Sequence, residues 1–152
     1  MTSEKPTELV RAFFTDLAQR RVDDAVDRVD DDIVYTNVSL ATVRGRQRFG
    51  TVMRTLNRDG TGFDASILAI SSDDVGVVLT ERIDELKVGP LRVQFWVCGR
   101  HEIREGRIAL WRDYFDFWNC TRGFVRAVLA LAIPRLHRPL VDPVSASRVA
   151  AG

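Results

Sequence analysis

Three short segments set polar groups inside otherwise apolar stretches: Tyr35-Thr36-Asn37, Glu81-Arg82-Ile83-Asp84, and Trp111-Arg112-Asp113-Tyr114-Phe115-Asp116. On a strand, alternate side chains share a face. Tyr35 therefore sides with Asn37, and Arg82 with Asp84. In the third segment Trp111, Asp113 and Phe115 form the more apolar set, so Asp113 is predicted to point inward among aromatic rings. A buried carboxylate is costly unless it is paired or protonated. Arg82 is the natural partner, because its forked guanidinium can hold two carboxylates at once. Two carboxyls in different surroundings are pushed apart in pKa, which makes one an acid and the other a base. Tyr35 and Asn37 offer donors and acceptors that can fix a water molecule.

The elements that must position these residues follow from periodicity. Residues 7–19 carry an amphipathic stripe, with Thr7 as the expected cap. A short helix is predicted over Val22–Arg28, ended by Asp30, Asp31 and Asp32, and a strand over Ile33–Val38. Arg44–Arg58 reads as a third helix. The period then changes to two. Phe63–Ser71, Val75–Val88, Leu91–Arg104 and Arg107–Asp116 read as strands, the last three as an antiparallel meander. Phe117–Ile133 is predicted to be mostly helical, with Gly123 as its weak point and Pro134 as its stop. Helices followed by a run of strands argue for an α+β domain. The expected form is a curved, mixed but mostly antiparallel sheet, a cone with helices on its concave side. Residues 1–133 would form one domain. Residues 134–152, with three prolines, would be an extended or frayed tail.

Composition narrows the function class. The 152 residues include 45% hydrophobic residues, enough for a core without disulfides or a structural metal. The charges nearly cancel, with 22 basic and 21 acidic residues, which argues against a nucleic-acid partner. The polar start has no apolar leader-like stretch, and the apolar run Phe124–Ile133 is too short to span a bilayer. A cytoplasmic protein without stable membrane insertion is expected. Cys98 and Cys120 read as free thiols, and two Cys with two His are too few for a zinc site. His101 and His137 are expected to be exposed, without a nucleophile partner. Phe95, Trp96, Val93 and Val97 read as wall and core, one face meeting a helix or a second subunit.

In order and strand context, Tyr35-x-Asn37, Arg82-x-Asp84 after Thr80-Glu81, and Asp113 within Trp111–Asp116 resemble the limonene-1,2-epoxide hydrolase family. The resemblance spans roughly residues 7 to 120. It implies the cone-shaped fold of nuclear transport factor 2-like proteins, a homodimer, and no cofactor or metal. It also implies roles. Asp113 would be the base that deprotonates water, Tyr35 and Asn37 would hold that water, Asp84 would protonate the epoxide oxygen, and Arg82 would bridge the aspartates. The expected partners are an apolar epoxide (terpenoid, sterol or lipid-like) and water. Two other readings share the fold: a ketosteroid-type isomerase and a non-catalytic module that binds apolar ligands. An arginine between two aspartates suits a shared acid/base pair better than the neutral-acid oxyanion hole of an isomerase.

Overall fold

The computed structural model describes residues 5–38 and 40–147. The period-two region forms four consecutive antiparallel strands: β3 (Thr61–Ser72), β4 (Val77–Val88), β5 (Leu91–Arg104) and β6 (Arg107–Phe115). Strand β1 (Val29–Asn37) lies parallel to β6, and β2 (Val43–Arg44) adds to its far side. The sheet order is β2-β1-β6-β5-β4-β3, mixed and mostly antiparallel, as the sequence predicts.

The inner face is closed by α1 (Pro6–Ala18) and α3 (Arg46–Leu56), with α2 (Val22–Asp27) between them in the chain. Phe13 and Phe14 of α1 and Phe49 of α3 are fully buried, and all three meet the Trp111 ring edge-on at 5.2–6.1 Å between centroids. Edge-to-face packing of this kind adds to area burial and fixes ring orientation. The last helix, α4 (Phe117–Ala132), runs along β5.

Several boundaries differ from expectation. Pro6 occupies the first turn of α1 and Lys5 is its N-cap, so Thr7 is not the cap; a proline fits there because its missing N–H would be unpaired anyway. Asp30–Asp32 lie inside β1 rather than ending α2, in a stretch where the register with β6 shifts; Val29 and Ile33 on either side are buried and hold the strand. Helix α3 starts two residues later than expected, because Val43 and Arg44 pair with Tyr35 and Val34. Asp116 does not extend β6; it is the N-cap of α4, accepting from the Trp118 backbone N–H at 2.8 Å.

The C-terminal segment is not frayed up to residue 147. It forms two 3₁₀ turns, Pro134–Leu136 and Val144–Ala146, and Val144 enters the core. Asp64 of β3 accepts from the Ser145 hydroxyl and backbone N–H, Ser66 donates to the Val141 carbonyl, and Gln19 donates to the Ser145 and Ser147 carbonyls. These partners are 75 to 128 residues away in sequence, so local composition carries no sign of them. Residues 148–152 lie outside the described set.

Candidate active site

Register brings the three polar segments together. On β4, Thr80, Arg82 and Asp84 alternate onto the inner face. On β6, Trp111 and Asp113 do the same. The parallel pairing sets Tyr35 beside Trp111 and Asn37 beside Asp113. Strand β5 separates β4 from β6, and at the crossing it carries Gly99, paired with both Thr80 and Asp113. A Cβ at Gly99 would sit 2.4 Å from Arg82 Nη1 and 2.8 Å from Asp113 Oδ1. The missing side chain is the gap through which Arg82 reaches across β5. A glycine inside a strand often marks such a close approach, and no motif in the sequence singles out Gly99.

Arg82 is wholly buried. Its Nε and Nη2 donate to the two oxygens of Asp84, each at 2.9 Å, and Nη2 also donates to Asp113 Oδ2 at 2.9 Å. Nη1 donates to Thr80 Oγ1 at 2.9 Å. The Phe14 ring lies 4.4 Å below the guanidinium carbon, a cation–π contact in a dry setting. The other Asp113 oxygen accepts from Trp111 Nε1 at 2.7 Å. Asn37 Nδ2 donates to Tyr35 Oη at 2.7 Å, and the Tyr35 ring packs 4.5 Å from that of Trp111.

The electrostatics follow from burial. Burial opposes the Arg82 charge, but Asp113 and Asp84 outweigh it and raise its pKa, so the guanidinium stays protonated. Burial pushes the Asp113 carboxyl up to about 6; Arg82 pulls it back and Asp84 adds to the rise. Burial also raises the Tyr35 phenol, which stays neutral.

Tyr35, Asn37, Asp84 and Asp113 all line one cavity of about 510 Å³. Its walls are mostly apolar, including Phe63, Leu86, Val93, Phe95, Val97 and Phe115. Helix α4 contributes Cys120, Thr121 and Phe124. Arg82 lies behind the carboxylates, out of the lining. The cavity can thus admit an apolar molecule and present it to two carboxyls, a phenol and an amide. Among the described residues, no group of three or more His, Cys, Asp or Glu is arranged to hold a metal ion.

His101 departs from expectation: it is fully buried, whereas His137 is exposed. It follows Val97 and Gly99 on the inner face of β5, stacks on Trp111 at 6.1 Å and meets the Phe14 ring edge-on at 5.5 Å. Neither ring nitrogen has a well-formed hydrogen bond among the described residues. Burial and the nearby Arg82 lower its pKa to about 3, against a small opposing effect of the Val78 backbone, so the ring is neutral. The alternation through Val97 and Gly99 could have revealed its direction.

The limonene-1,2-epoxide hydrolase catalytic-domain family matches residues 4–126. Epoxide hydrolase EphG of Mycobacterium tuberculosis is 44% identical over 131 residues, 86% of this chain and 87% of that protein. A solved structure of an M. tuberculosis epoxide hydrolase of the limonene-1,2-epoxide hydrolase type superposes with a TM-score of 0.84 at 42% identity, over 89% of this chain and 95% of that one. Bal32a, from a soil-derived mobile gene cassette, shares the fold at a TM-score of 0.68 and 18% identity, over 80% of this chain and 98% of its own.

Proposed function

The chain belongs to the limonene-1,2-epoxide hydrolase family, and from that premise we propose that it adds water to an apolar epoxide in one general acid/base step, giving a vicinal diol. The observation that carries this reading is one guanidinium nitrogen, Arg82 Nη2, donating to both Asp84 and Asp113 at the floor of a single apolar cavity.

Asp113 acts as the base. A pKa of about 6 leaves it ionised at neutral pH yet basic enough to take a proton from water. Tyr35 and Asn37 hold that water. Their mutual hydrogen bond fixes both groups and leaves the phenol proton and the amide oxygen free to engage it. Asp84 acts as the acid. As the water oxygen bonds to a ring carbon, the carbon–oxygen bond of the epoxide breaks, the Asp84 proton goes to the leaving oxygen, and the water proton goes to Asp113. No strong charge builds on either oxygen. The step leaves Asp113 protonated and Asp84 ionised, and proton exchange restores the pair. Arg82 stays charged throughout and positions both carboxylates. Each positioned proton transfer is worth about 10²–10⁴-fold in rate.

The apolar walls support a terpenoid, sterol or fatty-acid-like epoxide as substrate. Asp113→Asn and Asp84→Asn, each assayed for diol formation from limonene-1,2-epoxide, should lose about 10²-fold or more in kcat, with circular dichroism unchanged. Near-normal turnover in both variants would remove the acid/base assignment.

A further inference from the structure

Helix α3 ends against the catalytic cavity. Its C-cap is Asn57, a buried residue that belongs to the cavity lining. In an unbroken α-helix the N–H of residue 57 would bond the Met53 carbonyl. Here it turns to the Arg54 carbonyl at 3.2 Å, and the Asn57 side chain takes its place, Nδ2 donating to the Met53 carbonyl at 3.1 Å. Arg20 Nη2 donates to the Asn57 main-chain carbonyl at 2.9 Å. These bonds fix which way the amide is turned, because its nitrogen, not its oxygen, must face the Met53 carbonyl. Oδ1 is left buried with no hydrogen-bond partner among the described residues.

An orphaned buried acceptor is costly, and folded proteins hold few of them. The other buried orphans, Arg46 Nε and the two His101 ring nitrogens, belong to residues outside the cavity lining. The lining that α1, α3, β3 and the part of β4 beyond Asp84 supply is apolar: Leu17, Met53, Leu56, Phe63 and Leu86. Two relations set Asn57 away from the carboxylates. Phe49, on the same helix, meets the Tyr35 ring at 5.7 Å, and Asn57 is eight residues, roughly 12 Å, further along the axis. On β4, Leu86 is one inner position past Asp84, about 7 Å on, and pairs with Phe63 at the start of β3.

We propose that Asn57 is a specificity-determining residue: its Oδ1 accepts a hydrogen bond from a hydroxyl that an elongate, otherwise apolar epoxide carries at the end remote from its ring. The inference rests on reading the cavity as an epoxide site. A hydroxyl that enters a wholly apolar pocket loses its water and gains nothing, so it weakens binding. One that meets an orphaned acceptor satisfies two groups at once. A site that hydrogen-bonds a ligand hydroxyl also discriminates against the ligand that lacks it.

The test compares 9,10-epoxydecan-1-ol with 1,2-epoxydecane, the same chain without the hydroxyl. Dissociation constants are read by calorimetry in Asp113→Asn, where turnover does not intervene, with Asn57 and with Asn57→Leu. With Asn57 in place, the hydroxylated epoxide should bind at least as tightly as its parent. Asn57→Leu should weaken the hydroxylated epoxide by about tenfold and leave the parent within about threefold. The same substitution removes the cap on Met53, so a purely structural role would weaken both ligands alike, and that result would overturn the proposal. If Asn57→Leu fails to fold, the pair measured with Asn57 decides: looser binding of the hydroxylated epoxide overturns it. These constants do not depend on the chemistry. A chain that binds both compounds but opens neither would overturn the hydrolase reading and leave the role of Asn57 to be read from the same titrations.

Discussion

Arg82 can serve two carboxylates only because Gly99 leaves the crossing of β5 open, and Trp111 holds the far oxygen of Asp113. The protonation states of this cluster yield two predictions. The first concerns rate. With Asp113 at about 6 and ionised when active, kcat/KM for epoxide opening should rise with pH through about 6. A pH–rate profile flat between pH 5 and 7 would contradict it. The second concerns stability. Asp113 is raised above the ordinary value of about 3.9, so between roughly pH 4 and 6 the folded state holds more protons than the unfolded chain, and its contribution is lost as pH rises through 6. His101 runs the other way. Its pKa falls from 6.5 to about 3, so its contribution is full above 6.5 and is lost as pH falls toward 3. His101→Phe keeps a ring against Trp111 and Phe14 but removes the titration. Between pH 7 and pH 4 the variant should lose less melting temperature than the natural protein; equal losses would show that His101 does not carry the acid sensitivity. The five polar residues of the site were legible because period-two spacing fixes their faces and aromatic neighbours fix the phase. Gly99 was not, because it acts by having no side chain; for His101 the alternation with Val97 and Gly99 carries the direction, but no motif marks a ring buried without a hydrogen-bond partner.

Helix α4 docks through one contact between main chains. At Gly123 an added Cβ would stand 2.1 Å from the Gln94 carbonyl oxygen, and backbone cannot swing aside. Nearby, Asn119 Oδ1 accepts from the Trp96 N–H at 2.8 Å, on the part of β5 that β6 no longer pairs. Helix propensity alone says that Gly→Ala stabilises by about 1 kcal/mol. Here the clash should reverse the sign, and Gly123→Ala should destabilise by about 1–3 kcal/mol in denaturant melts. It should also raise KM more than it lowers kcat, because Cys120 and Phe124 form the cavity mouth. A stabilised variant with unchanged KM would contradict this. Gly123 was visible in the sequence as a break in helix propensity, but its partner was not, since Gln94 lies on another element. The element types followed from periodicity. The bounds of α3 and β1 did not, because pairing with distant strands set them.

At the scale of the molecule, the decisive feature is the parallel pairing of β1 with β6. It joins the first strand to the last and sets Asn37 beside Asp113. The strands of the meander announced themselves through short turns, but the β1–β6 pairing bridges about half the chain and has no local signature. The same is true of the segment after Pro134, which returns to Asp64 and Ser66 of β3 and closes the outer side. The result is one apolar cavity with its carboxylates at the floor and a single helix at its mouth. Such a site should deliver water directly to the substrate. The most direct test is one turnover of excess enzyme with limonene-1,2-epoxide in ¹⁸O-labelled water, followed by mass analysis of the diol. One-step addition predicts full label in the product of that first turnover and none in the protein. An unlabelled first product, with ¹⁸O appearing in an aspartate carboxylate, would mean that an enzyme carboxylate attacks the epoxide, and would contradict the role given to Asp113.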